Sequence, residues 1–174
     1  MAARMGAEVW AAELRHVGST DDGLRVLEVR VPGANDVIGD RAYADTRGPI
    51  AALGLAAAEG LLSGGVLPVI KHIPGHGRAG VDSHKSLPVV DTPPDELSRI
   101  DFAPFHALRH MPLAMTAHVV YTALDRDRPA TTSPSIIGGV IRGEIGFDGV
   151  LMSDDLSMEA LKGSLGERAR QSLD

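Results

Sequence analysis

The sequence predicts an α/β fold of strand–helix units on a parallel sheet, and three observations carry that prediction. Short apolar runs at 66–70, 113–117 and 149–152 alternate with stretches of helical period. Hydrophobic residues make up 44% of the 174 residues but aromatics only 3%, so Ala, Val, Leu and Ile must fill the core. Such residues suit parallel strands covered by helices. Finally, each apolar run ends in polar side chains: Lys71 and His72, then His118, then Ser153, Asp154 and Asp155. In β/α barrels the chemistry lies at that carboxyl end.

Taken in order, residues 1–15 read as an Ala-rich helix with Val9, Leu14 and Val17 at apolar positions. Residues 18–23 read as a loop and 25–31 as a weakly alternating strand. Glu28, Val29 and Arg30, with two charges in three residues, do not read as buried strand. The stretch 31–46 is irregular, broken by Pro32, Gly33, Asn35, Asp36, Gly39 and Asp40. Residues 49–62 form a helix that is apolar almost all round and is stopped by Gly64 and Gly65. Thr92 is placed to cap a helix beginning Pro93-Pro94-Asp95-Glu96, with proline and acids in the favoured first turn. Its apolar stripe is Leu97, Ile100, Phe105, Leu108 and Met111. Ser133 or Ser135 opens another helix, containing Ile136, Ile137, Val140, Ile141 and Ile145. Residues 156–173 form the last, interrupted near Gly163 and Gly166.

Composition excludes several classes of function. A net charge of −6 and a pI near 5.6 argue against nucleic acid as a partner, since that surface needs clustered Lys and Arg. The arginines here are interspersed with acids. No cysteine is present, which excludes disulfides and thiolate chemistry. No apolar run approaches the roughly 20 residues of a membrane span. Arg4, Glu8 and Glu13 interrupt any apolar region of a signal peptide. The expectation is a soluble cytoplasmic protein of undefined oligomeric state.

The residues that can carry chemistry fall into two segments. Lys71-His72-Ile73-Pro74-Gly75-His76-Gly77, followed by Val81-Asp82-Ser83-His84, is a shaped loop with one lysine and three histidines. Lys71 and His72 sit at a strand end facing a pocket. His76 reads as a hydrogen-bonding brace of its own loop. In extended chain Asp82 and His84 project to one side. The carboxylate can then fix the imidazole tautomer and raise its basicity, as an acid does toward a catalytic base. The alternative is a hydrogen bond that only stabilises the loop. The second segment, 147–158, closes an apolar strand with adjacent carboxylates, which is costly unless each is paired or solvated. Asp154 is the better candidate for a pocket carboxylate able to attack an anomeric carbon. Asp155 reads as the cap of the following helix.

These segments together closely resemble the β-N-acetylglucosaminidase (β-N-acetylhexosaminidase) branch of glycoside hydrolase family 3, of the bacterial peptidoglycan-recycling type. The matching stretches are Ile38-Gly39-Asp40-Arg41-Ala42-Tyr43, residues 71–88, Met115-Thr116-Ala117-His118-Val119-Val120-Tyr121 and residues 146–158. The combination of Lys-His-x-Pro-Gly-His-Gly, Asp-Ser-His and Ser-Asp-Asp-Leu is very specific. The resemblance implies Asp154 as nucleophile and His84 as general acid/base held by Asp82. It implies that Arg41, Lys71 and His72 bind the sugar, with His76, His118 and Asp155 supporting them from behind. It implies a small N-acetylglucosaminyl saccharide as substrate, with no metal and no organic cofactor.

The resemblance also implies a (β/α)₈ TIM barrel, which takes about 250 residues. With three clear strands and one doubtful one, the chain is expected to form a partial barrel of three to four parallel strands. Residues 1–30 are expected to be a poorly matching N-terminal segment, and 31–174 a partial catalytic barrel of the family. The abrupt start near Val31 suggests a shifted reading frame or truncated gene, and open sheet edges predict a marginally stable, aggregation-prone or inactive chain. Two rival readings remain. One is a metal-dependent hydrolase using His72, His76, Asp82 and His84. The other is an inactive remnant or sugar-binding fragment.

Overall fold

A computed structural model of the chain describes residues 1–31 and 41–173. Residues 32–40, including the Ile38-Gly39-Asp40 part of the motif that ends at Tyr43, and Asp174 lie outside the described residues. In chain order the elements are α1 (Ala2–His16), β1 (Asp21–Gly23), α2 (Arg47–Ser63), β2 (Leu67–Ile73) and β3 (Val89–Val90). They continue with α3 (Pro94–Ile100), α4 (Ala103–Ala107), β4 (Leu113–Thr116) and β5 (Val120–Tyr121). A 3₁₀ turn (Ala130–Thr132), a π-helical segment (Ile136–Glu144), β6 (Val150–Met152) and α5 (Leu165–Leu173) complete the chain. Among the described residues the strands form a four-stranded parallel sheet, ordered β1-β2-β4-β6, and a two-stranded parallel sheet of β3 and β5. The α/β fold of partial-barrel type is the one predicted, with four strands in the main sheet and no closure among the described residues.

Register places the chemistry. Val69 pairs with Leu113 and Lys71 with Met115 across β2 and β4, and Met115 pairs with Met152 across β4 and β6. The ends of the three strands are therefore level, and Lys71-His72, His118 and Asp154 emerge along one edge of the sheet.

The N-terminal region departs from expectation. The segment expected to be a loop contains β1, which pairs in parallel with β2. Past it the chain stays against β2, through Leu24 N–H to the Val69 carbonyl and Leu27 N–H to the Lys71 carbonyl. Leu24, Val26, Leu27 and Val29 are buried in the core. Glu28 is buried among them, contrary to the reading of 28–30 as unfit for a buried strand. Its carboxylate is accommodated because it accepts hydrogen bonds from His72. Helix α1 packs along α2, and two glycines permit the close approach. A Cβ on Gly60 would lie 2.3 Å from the Arg4 carbonyl oxygen, and one on Gly64 2.3 Å from the Ala11 Cβ.

Other differences are local. Thr92 is not the cap, since the helix begins at Pro94 behind Pro93, and a break at Asp101 and Phe102 divides the expected helix into α3 and α4. Pro104 in the first turn of α4 accounts for the break, because a helix running through it would lose a backbone donor. Helix α5 begins only at Leu165, beyond the glycine at 163. The core is not aliphatic alone: Phe102, Phe105, Tyr121 and Phe147 are buried within it.

Candidate active site

The site is built from the carboxyl ends of β2 and β6 and the loop after β2. Arg41, Lys71, His72, His84 and Asp154, with His76, Ser83 and Met115, line one cleft of about 240 Å³. The sequence reading assigned roles to six of these eight; Ser83 and Met115 were given none.

The loop after β2 is held from several sides. Tyr121 donates its hydroxyl to the Gly75 carbonyl. Arg78 pairs with Asp101 at 2.7 Å and with Glu96 at 2.9 Å, fastening the loop to α3. Gly77 lies against the segment that carries Glu28, where an added Cβ would come within 2.1 Å of the Val29 carbonyl oxygen. Only glycine allows that approach. His76 is buried and its Nε2 lies 3.1 Å from the Ser83 hydroxyl, so it ties the loop together through a side chain and not through the loop backbone as expected. Burial lowers its pKa below the usual imidazole value.

His84 extends from the far end of this loop. Asp82 Oδ1 accepts both the His84 backbone N–H at 3.0 Å and the ring Nδ1–H at 2.8 Å. Those bonds, the backbone one first, hold the Asp82 carboxyl below its ordinary pKa. The His84 ring is 64% exposed, open to solvent and to a ligand in the cleft. His72 is anchored in the same manner from the segment that follows β1. Glu28 Oε1 accepts its backbone N–H at 2.6 Å and its ring Nδ1–H at 2.8 Å. The other ring nitrogen, Nε2, lies 3.6 Å from Asp154 Oδ2.

The two carboxylates after β6 separate as expected, with one change. Asp154 lines the cleft and its Oδ1 accepts the Asp155 N–H at 2.9 Å. Asp155 points away and caps a turn rather than a helix, accepting the Ser157 N–H and hydroxyl, each at 2.8 Å. The Ser157 N–H and then its hydroxyl hold the Asp155 carboxyl below the usual range. His118 is fully buried behind this turn. Its Nε2–H donates to the Asp155 carbonyl at 3.1 Å, and its Nδ1 lies 2.7 Å from the Thr131 hydroxyl. Burial lowers its pKa, so the neutral ring is the form that braces the turn below Asp154. Among the described residues no group of three or more His, Asp or Glu is disposed to hold a metal ion, so the metal-hydrolase alternative gains no donor set.

The residue that sequence reasoning missed is Glu28. Its signal was present: one carboxylate inside the apolar run Leu24, Val26, Leu27 and Val29, at the carboxyl end of an extended segment. The same signal had singled out Lys71 and Asp154.

Comparison with known proteins places this geometry in a family. The model described as the Glycosyl hydrolase family 3 N terminal domain matches residues 1–174. A β-hexosaminidase of Methylococcus capsulatus is 40% identical over 177 residues, covering 99% of this chain and 52% of that protein. A β-hexosaminidase of Bordetella parapertussis is 38% identical, covering 95% of this chain and 47% of its own length. The chain thus spans about half the length of the curated relatives it matches. Among solved structures, a family 3 β-N-acetylglucosaminidase from a Paenibacillus species superposes with a TM-score of 0.93 at 38% identity, over 98% of this chain and 34% of that one. The NagZ protein of Neisseria gonorrhoeae, solved with N-trifluoroacetyl-D-glucosamine, gives a TM-score of 0.89 at 39% identity, over 99% of this chain and 50% of that one.

Proposed function

Because the chain belongs to glycosyl hydrolase family 3, we propose that its cleft serves the removal of terminal β-linked N-acetylglucosamine from cell-wall saccharides by a retaining double displacement. The observation that carries this reading is that a carboxylate and an exposed imidazole line one cleft together with the cations Arg41 and Lys71. In the first step an Asp154 oxygen bonds to the anomeric carbon while the bond to the leaving oxygen breaks, and protonated His84 gives that oxygen its proton. In the second, neutral His84 takes a proton from water, the water oxygen bonds to the same carbon, and the ester to Asp154 breaks. Two inversions restore the original configuration. Asp82 holds His84 by Nδ1, leaving Nε2 to exchange the proton with the substrate. Arg41, Lys71 and His72 bind ring hydroxyls or the acetamido group, with His76, His118 and Asp155 fixing the loops behind them.

The test is release of a chromogenic aglycone from a β-N-acetylglucosaminide by the full chain, beside Asp154→Asn. Asp154→Asn is expected to lower the rate by about a thousandfold or more. Equal rates would remove Asp154 as nucleophile. Added inorganic phosphate distinguishes the acceptor, since a glycosyl phosphate product would mean that phosphate replaces water.

A second reading, a sugar-binding fragment without turnover, is favoured by one observation. Among the described residues β1 and β6 stand at the open edges of the four-stranded sheet, with Val150 of β6 exposed. Saturable binding of N-acetylglucosamine with no aglycone release would establish it.

A further inference from the structure

We infer that Glu28 is a positioning residue that sets the tautomer of His72 and thereby which ring nitrogen faces Asp154. The inference deepens the proposed glycosidase reading and rests on it for its functional meaning. Glu28 is fully buried and sits at the carboxyl end of the extended segment beside β2, level with the chemistry-bearing ends. A carboxylate in such a place is costly unless it is paired. The pairing is one-sided. Oε1 takes both the backbone N–H and the ring Nδ1 of His72, at 2.6 and 2.8 Å, while Oε2 is buried and has no hydrogen-bond partner among the described residues. A buried pair left half satisfied is weak evidence of a purely stabilising role, even though breaking it is costly, so its presence calls for another explanation.

The geometry supplies one. Oε1 already accepts the His72 backbone N–H and so is the acceptor toward the ring as well, which puts the hydrogen between Glu28 and His72 on Nδ1. Nε2 is thereby the nitrogen directed at Asp154 Oδ2, 3.6 Å away, and at the cleft. When His72 is neutral, Nε2 accepts from a sugar hydroxyl. When it is protonated, Nε2–H donates to Asp154. Were the hydrogen on Nε2 alone, neutral His72 would present a donor to the cleft and bond Asp154 in the absence of sugar, tying up the oxygen needed for attack. An anchoring hydrogen bond from the rear is the usual means of fixing an imidazole tautomer.

The experiment reads the ring directly. The full chain is labelled with ¹⁵N in histidine, and the His72 signals are assigned by their loss in His72→Gln. Long-range proton–nitrogen spectra are expected to show a hydrogen on Nδ1 of His72. Glu28→Leu is expected to abolish that pattern and populate the Nε2–H form. Glu28→Gln should retain it, because its amide oxygen still accepts. The His84 signals should be the same in all three proteins, which also reports that the fold is kept. A wild-type His72 protonated on Nε2 alone overturns the inference, as does a Glu28→Leu spectrum unchanged at His72. If Glu28→Leu fails to fold, the wild-type and Glu28→Gln spectra decide the matter. None of these readings needs turnover, so an inactive chain would sink the glycosidase proposal without touching this one.

Discussion

Two histidines in this molecule are held by carboxylates at the same distance, 2.8 Å from Nδ1, and in both cases the same oxygen also takes the histidine's own backbone N–H. They differ in surroundings and in sequence separation. Asp82 and His84 are two residues apart on an exposed loop, with side chains 21% and 64% accessible. Glu28 and His72 are 44 residues apart, one on the segment after β1 and the other on β2, with side chains 0% and 15% accessible. Identical bonds therefore serve different ends. The exposed pair keeps an imidazole oriented while leaving it free to exchange protons and to yield to a substrate. The buried pair fixes one nitrogen and removes it from exchange with solvent. Under the proposed mechanism, proton transfer is assigned to the first, and a stationary contact to Asp154 and the sugar to the second.

The contrast is broken most severely at the exposed pair when activity is the measure. Asp82→Asn removes the charge that supports a protonated His84 and leaves the loop otherwise intact. It is expected to lower kcat by on the order of a hundredfold or more, with KM nearly unchanged. The unfolding curve should move only slightly, because an asparagine Oδ1 at this position can still accept both His84 hydrogen bonds. A fall in stability with kcat intact would mean that the pair is only a loop brace. The next largest effect is the converse one, measured as stability. Glu28→Ala leaves the His72 backbone N–H without a partner and opens a void, at a cost of about 1–3 kcal/mol. The urea midpoint should shift accordingly. If Glu28→Ala proved as silent toward urea as Asp82→Asn, the difference in burial would have no energetic consequence.

The same two pairs show what was legible in the sequence. Asp82-Ser83-His84 was readable because both partners lie in one loop, but a turn, not the expected extended chain, brings them together: the Asp82 carbonyl accepts the Lys85 and Ser86 N–H groups. Lys71, His72 and Asp154 were readable because parallel strands put their carboxyl ends at one level. Glu28 with His72 was not, since nothing local joins residues 44 apart and the register of the first strand is set by tertiary pairing with β2. Two charges around Val29 suggested an exposed segment, yet only Glu28 of that pair points inward. The split of α3 from α4 was missed for a related reason. Apolar spacing carries through a break when both halves of a helix rest on the same core, as Leu97, Phe105 and Leu108 do. The α1–α2 contact was half visible: alanine richness announced the helices, but the role of Gly60 and Gly64 depends on the crossing itself.

The smallest expected effect concerns pH, and it turns on burial in the same way. His76 and His118 are braces whose pKa values burial lowers below 6.5. The folded chain therefore prefers them neutral, while the unfolded chain takes up their protons first as pH falls. Protons bound preferentially by the unfolded state favour unfolding. The stability these rings contribute is thus fully present above 6.5 and is lost as pH falls through 6.5 toward their lowered values. Asp82 behaves as an acid with a lowered pKa: its contribution is present above 3.8 and fades only below that value, well outside the window in question. Urea midpoints between pH 8 and 6 should accordingly decline toward pH 6, and His118→Gln should flatten the slope by removing one of the two protons. A midpoint that rises on acidification would show that these rings are charged inside the fold. The Asp155 turn beneath Asp154 could not then rest on a neutral His118.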